Sequence, residues 1–226
     1  SVDSLRPYAD QIRVGYSMRF HPAIQAIKHH LPSIGRVIYA HAEVGQYLPD
    51  FHPSEDYRLW YMSRREQGGG AILDLSHELD YLQWLLGDIV EANALVDQID
   101  TTLEITSDDV ADIRGRLRNK LGGITFTCHM DLIDRSYNRR IRILGEKGTI
   151  SWEWKRNLID VGMVGEKIKT ILDNLDRNAQ FVAEAKAFLD WCGGYEEKST
   201  LASFNEAYHT LKVMEALRDH SSYPSA

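Results

Sequence analysis

Apolar and polar residues alternate along Ile12-Arg13-Val14-Gly15-Tyr16-Ser17-Met18-Arg19-Phe20, which predicts a strand over 12–20 that stops at His21-Pro22, where proline restricts the residue before it. Ile24, Ile27 and Leu31 then recur at helical spacing as far as Pro32, and residues 35–46 read as a second strand carrying Val37, Tyr39 and Val44. Residues 47–67 hold Pro49 and Pro53 among many aromatic and charged side chains, a long connection of the kind that often carries function. Beyond Gly68, the residues Ile72, Leu75, Leu79, Leu82 and Leu86 fall at steps of three and four. They form one apolar stripe and predict a single helix closed by Gly87-Asp88.

Strand-like runs follow at 90–99, 110–118, 123–132, 139–144 and 149–154, with Gly122-Gly123 and Gly145-Glu146-Lys147-Gly148 as tight turns between neighbours. A charged stretch at 165–177 leads to two helices separated by Gly193-Gly194. Phe181, Ala185, Phe188 and Cys192 mark the face of one; Leu201, Phe204, Tyr208 and Leu211 mark the other. Helices outside a run of strands predict an α+β fold, a large, mostly antiparallel open sheet with helices packed on one face. The alternation of Trp152 and Trp154 suits a sheet face covered by a partner subunit, and residues 221–226 read as a frayed end.

The chain of 226 residues reads as one domain, and its charge of −7, from 26 Lys and Arg against 33 Asp and Glu, argues against nucleic acid or anionic membrane as partners. No apolar run approaches the roughly 20 residues of a membrane span. Cys128 and Cys192 lack C-x-x-C spacing, so neither a disulfide scaffold nor a thiolate zinc site is expected, and a reducing cytoplasmic setting fits. Ser1-Val2-Asp3-Ser4 shows neither an initiator Met nor a signal peptide, and the chain reads as a piece of a longer protein.

Candidate chemistry gathers on the helix after the three glycines. Opposite its leucines lie Asp74, His77, Tyr81 and Trp84, with Asp80 beside His77 and Trp84. Gly68, Gly69 and Gly70 admit a ligand or another segment close to the helix N-terminus, where free N–H groups favour an anion. His77 is the group there that titrates near neutrality. Such a stripe is either a solvated face with an ordinary His–Asp pair or a site; two aromatic residues on it favour the site.

The run from Val14 to Pro22, the run Gly68-Gly69-Gly70-Ala71-Ile72-Leu73-Asp74-Leu75-Ser76-His77-Glu78-Leu79-Asp80-Tyr81 with Trp84-Leu85-Leu86-Gly87, and Gly145-Glu146-Lys147-Gly148-Thr149-Ile150 together resemble the glucose-fructose oxidoreductase / inositol dehydrogenase / rhizopine catabolism (Gfo/Idh/MocA) family, in order and over nearly the whole chain. The resemblance implies a dihydrodipicolinate-reductase-like C-terminal domain, residues 1–226, that binds substrate and oligomerises. The implied parent is an NAD- or NADP-dependent oxidoreductase acting on a sugar, sugar derivative or cyclitol. Its cofactor would be held by an N-terminal dinucleotide-binding domain outside this chain, since no G-x-G-x-x-G occurs here. This chain alone is then expected to be inactive.

Carried over by position, His77 matches the catalytic histidine that exchanges a proton with the substrate. Asp74 resembles its partner at a spacing of three instead of the common four, and Asp80 is the alternative partner. Arg19 and Tyr16 resemble pocket residues on the strand side, the guanidinium suited to an anionic substrate group; Tyr57 and Arg58 belong to the substrate loop, and Trp84 extends the site. The resemblance also implies a homodimer or homotetramer through the open sheet face. Two rivals stand beside this reading: a non-enzymatic sugar-binding or dimerisation module, and a metal-dependent hydrolase built on His77, Asp80 and His52. The sequence offers the hydrolase neither H-E-x-x-H nor a tight histidine cluster, so no metal ligand is assigned.

Overall fold

Nine strands hydrogen-bond into one sheet in the computed structural model, which describes residues 2–156, 158–166, 169–172, 178–195 and 200–223. In chain order the elements are β1 (Arg13–Val14), α1 (Pro22–His30), β2 (Val37–Gly45), α2 (Ala71–Asp74), α3 (His77–Leu86), β3 (Asp88–Asp97), β4 (Val110–Asn119) and β5 (Gly122–Asp131). They continue with β6 (Asn138–Gly145), β7 (Gly148–Glu153), β8 (Leu158–Met163), β9 (Lys169–Leu172), α4 (Ala179–Cys192), β10 (Ala202–Ser203), α5 (Phe204–His220) and β11 (Ser222–Tyr223). The sheet order is β11-β3-β4-β5-β2-β6-β7-β8-β9. Every pairing is antiparallel except β2 with β5, which runs parallel from Tyr39 opposite Thr125 to Gly45 opposite Asp131.

The expected α+β architecture is present. On β2 the period of two turns Ala40, Ala42 and Val44 into the core and leaves Tyr39, His41 and Glu43 on the other face. Helices α1, α3 and α5 cover the first face. The second carries rows of polar side chains, such as His41 with Arg142 opposite on β6 and Thr127 opposite on β5, and Arg114 of β4 opposite Thr127 in turn.

Several expectations are corrected. Only Arg13–Val14 of the first run is strand, paired with β10, while Ser17–Phe20 winds into a 3-10 turn with all four residues buried. A half-exposed strand cannot bury four successive side chains. The single helix after Gly68 is two, broken where Leu75 takes φ −91° and ψ 27°. Strand β8 went unread although Leu158, Ile159 and Val161 carry its pattern. Trp152 is not on the open face: it is buried against His21 at the start of α1, at 4.9 Å between rings. At the far end, Ser222 and Tyr223 pair with Asn93 and Ala92, while 224–226, 173–177 and 167–168 lie outside the described residues.

Helix α4 reverses its expected orientation. Phe181, Ala185, Phe188 and Cys192, the predicted packing face, are exposed, and Gln180 is the one buried residue of the helix.

Candidate active site

The approach to α3 is set by close backbone contacts. A Cβ on Gly69 would stand 2.1 Å from the Tyr61 carbonyl oxygen, so only glycine lets the 3-10 turn Tyr61–Ser63 press against this segment. Gly70 adopts φ +123°, and the Asp108 side chain fills the space beside it. The anion expected at this helix start is therefore the chain's own: Asp108 Oδ2 accepts from Ile72 N at 3.0 Å, and its carbonyl oxygen accepts from Ala71 N at 2.9 Å.

Asp74 turns back within the same turn. Its Oδ2 accepts from Gly70 N at 3.0 Å, and its carboxylate also accepts from the Tyr61 hydroxyl. Burial pushes Asp74 up to about 6 and the Tyr61 hydroxyl up to about 12, so Tyr61 stays a donor.

His77 opens α3 half-buried, with its ring edge-on to Tyr16 at 5.6 Å and 76°. Burial, reinforced by the nearby Arg139 guanidinium, holds the imidazole down to about 4, so it is neutral at physiological pH. Its Nδ1 is buried without a hydrogen-bond partner. Tyr16, itself buried, hydrogen-bonds the Ser76 side chain and is pushed up to about 12, chiefly by burial. Arg139 of β6 pairs with the wholly buried Glu78, Nε to Oε1 at 2.9 Å, and Glu78 also accepts from the Tyr81 hydroxyl at 3.3 Å.

The remaining candidates stand elsewhere. Asp80 is fully buried and takes the Arg19 fork at 2.9 and 2.7 Å, while Arg19 Nη1 reaches Glu206 at 3.2 Å. With both edges of its guanidinium engaged and only 2% of its surface exposed, Arg19 ties the 3-10 turn to α3 and α5 instead of offering a grip for an anion. Asp80 is likewise committed to Arg19 and not to His77. Trp84 lies on that side too, under Lys28 Nζ at 3.4 Å. Tyr81 leaves the polar stripe altogether and is buried in the core. In the long connection, Arg58 is held by Asp56 at 2.8 Å and Glu104 at 3.2 Å, and the Tyr57 hydroxyl accepts from Glu104 N at 3.2 Å.

Of the predicted site residues, then, the structure brings His77 and Tyr16 together, keeps Asp74 at the preceding turn, and gathers Arg19, Asp80 and Trp84 into a separate cluster. Tyr61, Ser76, Glu78 and Arg139 were missed. Glu78 and Arg139 show no special spacing in sequence, being 61 residues apart, whereas Tyr61 sits in the aromatic-rich connection already marked for function.

The start of α2 offers no cradle for the phosphates of a dinucleotide. A phosphate cradle needs free N–H groups at the start of a long helix, but α2 has four residues and its first donors are taken by Asp108. Among the described residues no group of three or more His, Cys, Asp or Glu side chains is arranged to hold a metal ion.

The described residues thus form an α+β domain with helices on one face of its sheet and a neutral histidine at a helix start. A family model described as the GFO/IDH/MocA C-terminal domain matches residues 29–151, more than half of the chain. The chain belongs to this oxidoreductase family. Among solved structures, levoglucosan dehydrogenase in complex with NADH aligns over 94% of this chain and 65% of its own, at 16% identity and TM-score 0.74. An inositol dehydrogenase homolog complexed with NAD+ from Azotobacter vinelandii aligns over 99% and 68%, at 12% identity and TM-score 0.73. An oxidoreductase domain protein from Kribbella flavida aligns over 100% and 69%, at 19% identity and TM-score 0.78. These likenesses show a shared fold, and the chain spans about two thirds of each neighbour's length. No curated protein sequence matches it.

Proposed function

We propose that this chain is the substrate-binding and oligomerisation part of an NAD- or NADP-dependent oxidoreductase acting on a sugar, sugar derivative or cyclitol, with the nicotinamide held by a domain outside it. The observation that carries the reading is His77: a buried-edged, neutral imidazole is ready to take a proton from a substrate hydroxyl as hydride leaves the same carbon, or to return it in the reverse direction. The low proton affinity also keeps the ring from being trapped as imidazolium before substrate arrives. Tyr16 limits the ring's freedom, and Asp74 with Tyr61 borders the approach.

The test is reduction of NAD and NADP by the complete natural protein with a panel of cyclitols, aldoses and anhydrosugars. Turnover of at least one supports the reading; none, with either cofactor, overturns it. The polar open sheet face is the proposed contact between copies, in dimers or tetramers. One observation favours the second reading, a non-enzymatic sugar-binding or dimerisation module: neither Asp74 nor Asp80 is hydrogen-bonded to His77. A bound sugar without turnover would select it.

A further inference from the structure

A helix that is apolar on nearly every side belongs inside a protein, and a large apolar patch left open marks a place where something else docks. Helix α4 is such a helix. Nine of its fourteen residues are exposed, and seven of those nine are apolar, Lys186 and Asp190 being the exceptions. Phe181 and Phe188 are seven apart, as are Val182 and Leu189, so the four form one patch along two turns, each between 45% and 68% exposed. The packed side of α4 lies on the Ser17–Phe20 turn.

A second uncovered apolar edge stands next to it. The 3-10 helix Val2–Gln11 packs on α5 yet buries none of its residues. Val2, Leu5 and Tyr8 are three apart, so at three residues per turn they line up on one edge, and all three are exposed. Arg13, just past the end of this helix, places its guanidinium over the Trp191 ring of α4 at 4.5 Å, which ties the two surfaces together.

Both lie near the candidate active site. A Cβ added to Gly15 would stand 3.5 Å from Glu184 Oε1 of α4, and the next residue, Tyr16, has its ring against His77. Helix α4 and His77 thus border consecutive residues of one segment, so an occupant of α4 is a near neighbour of the histidine. Size selects that occupant. A helix of this length is about 21 Å long and about 10 Å across. It offers far less than the about 800 Å² per partner of a stable free dimer, whereas a domain of the same polypeptide needs less, because its tether holds it at millimolar effective concentration. The solved structures that share this fold leave about a third of their own length unmatched by this chain.

We propose that the apolar face of α4, with the edge of Val2–Gln11 beside it, is the docking surface for the nicotinamide-holding domain of the same polypeptide. This rests on the dehydrogenase reading above and fixes the side from which that domain approaches. It is the side of His77, as hydride transfer requires, since reacting atoms must come to about 3–3.5 Å of each other.

Cys192 ends α4 one turn from Phe188 and is exposed, whereas Cys128 is buried, so its thiol reports on this face. In the complete natural protein, N-ethylmaleimide labelling of Cys192, read on its own peptide by mass spectrometry, should be about tenfold or more slower than in the urea-unfolded chain, because the thiol must wait for the domains to part. The double variant Val182→Glu/Leu189→Glu changes side chains that are exposed in this chain, so it should restore labelling close to the unfolded rate and leave amide exchange in β3 to β5 unchanged. Labelling of the parent at the unfolded rate would overturn the proposal. So would protection that disappears on dilution together with half the light-scattering mass, which would place a second copy on α4. Concentration-independent protection, released by the double variant, in a protein that transfers no hydride to NAD or NADP would overturn the dehydrogenase reading and leave α4 as the docking surface for another part of the same chain.

Discussion

At the scale of single residues, the account turns on protonation states set by burial. His77 is held down to about 4, so between pH 6.5 and 4 the unfolded chain binds a proton that the folded chain refuses. Stability should therefore fall as pH falls through that window, and the His77→Asn variant should lose this part of the acid sensitivity in urea titrations at pH 6.5, 5.5 and 4.5. His129 has the opposite sign. Hydrogen bonds to Asp131 at 3.0 Å and Asp112 at 2.7 Å raise it to about 9. Its contribution is full below 6.5 and lost as pH rises through 9, so His129→Gln should flatten the alkaline loss. Imidazole NMR should find His77 neutral at pH 5 and His129 charged at pH 8; the reverse order would refute both assignments. The Arg19–Asp80 pair, with neither partner more than 2% exposed, predicts that Arg19→Met costs about 3–5 kcal/mol in urea unfolding, since an uncompensated carboxylate stays buried. A loss under 1 kcal/mol would show the carboxylate finds another partner.

The site was legible in sequence where a residue's role depends on local spacing and illegible where it depends on a distant partner. His77 could be singled out from its stripe, but Arg19 shows its meaning only when Asp80, 61 residues later, closes on it. Tyr81 was misplaced for a related reason: a helical wheel assigns one buried face, whereas α3 lies between the sheet and further chain, so Glu78, Asp80 and Tyr81 are all buried.

At the scale of elements, the strands β2 to β7 were readable because a period of two survives wherever one face is buried. The parallel pairing of β2 with β5 was not, since nothing local encodes it. The break between α2 and α3 was hidden because Leu75 and Leu79 keep the apolar rhythm across it. Two predictions belong here. Gly69→Ala must displace the Tyr61–Ser63 turn, whose carbonyl oxygens stand 2.1 and 2.4 Å from the added carbon, and with it the Tyr61 hydroxyl bond to Asp74. The expected result is loss of Ser63 and Arg64 amide protection in hydrogen exchange, since these N–H groups donate to the Trp60 and Tyr61 carbonyls of the turn, with β3 to β5 unchanged; unaltered exchange would show that the contact is not tight. At α5, Ser203 and Glu206 form a reciprocal cap in which Glu206 also reaches Arg19. Ser203→Ala should cost about 1 kcal/mol in urea unfolding.

At the scale of the whole molecule, the one-sided sheet leaves a broad polar face with a shallow groove of about 460 Å³, lined by His41, Leu95, Arg114 and His129 among others. If copies meet there, Leu95→Glu, which adds charge to a 63% exposed apolar side chain in the groove, should shift light scattering toward monomer without lowering the unfolding midpoint. An unchanged mass would move the contact elsewhere. No helix among the described residues is long and apolar enough to cross a membrane.

The measurement that bears most directly on the account is turnover by the complete protein with and without His77. With the sugar or cyclitol that supports hydride transfer, His77→Ala should lower kcat by about 10²–10⁴ while leaving the urea midpoint within error of the parent. Full activity in that variant would return His77 to an ordinary helix-start residue and contradict the catalytic assignment.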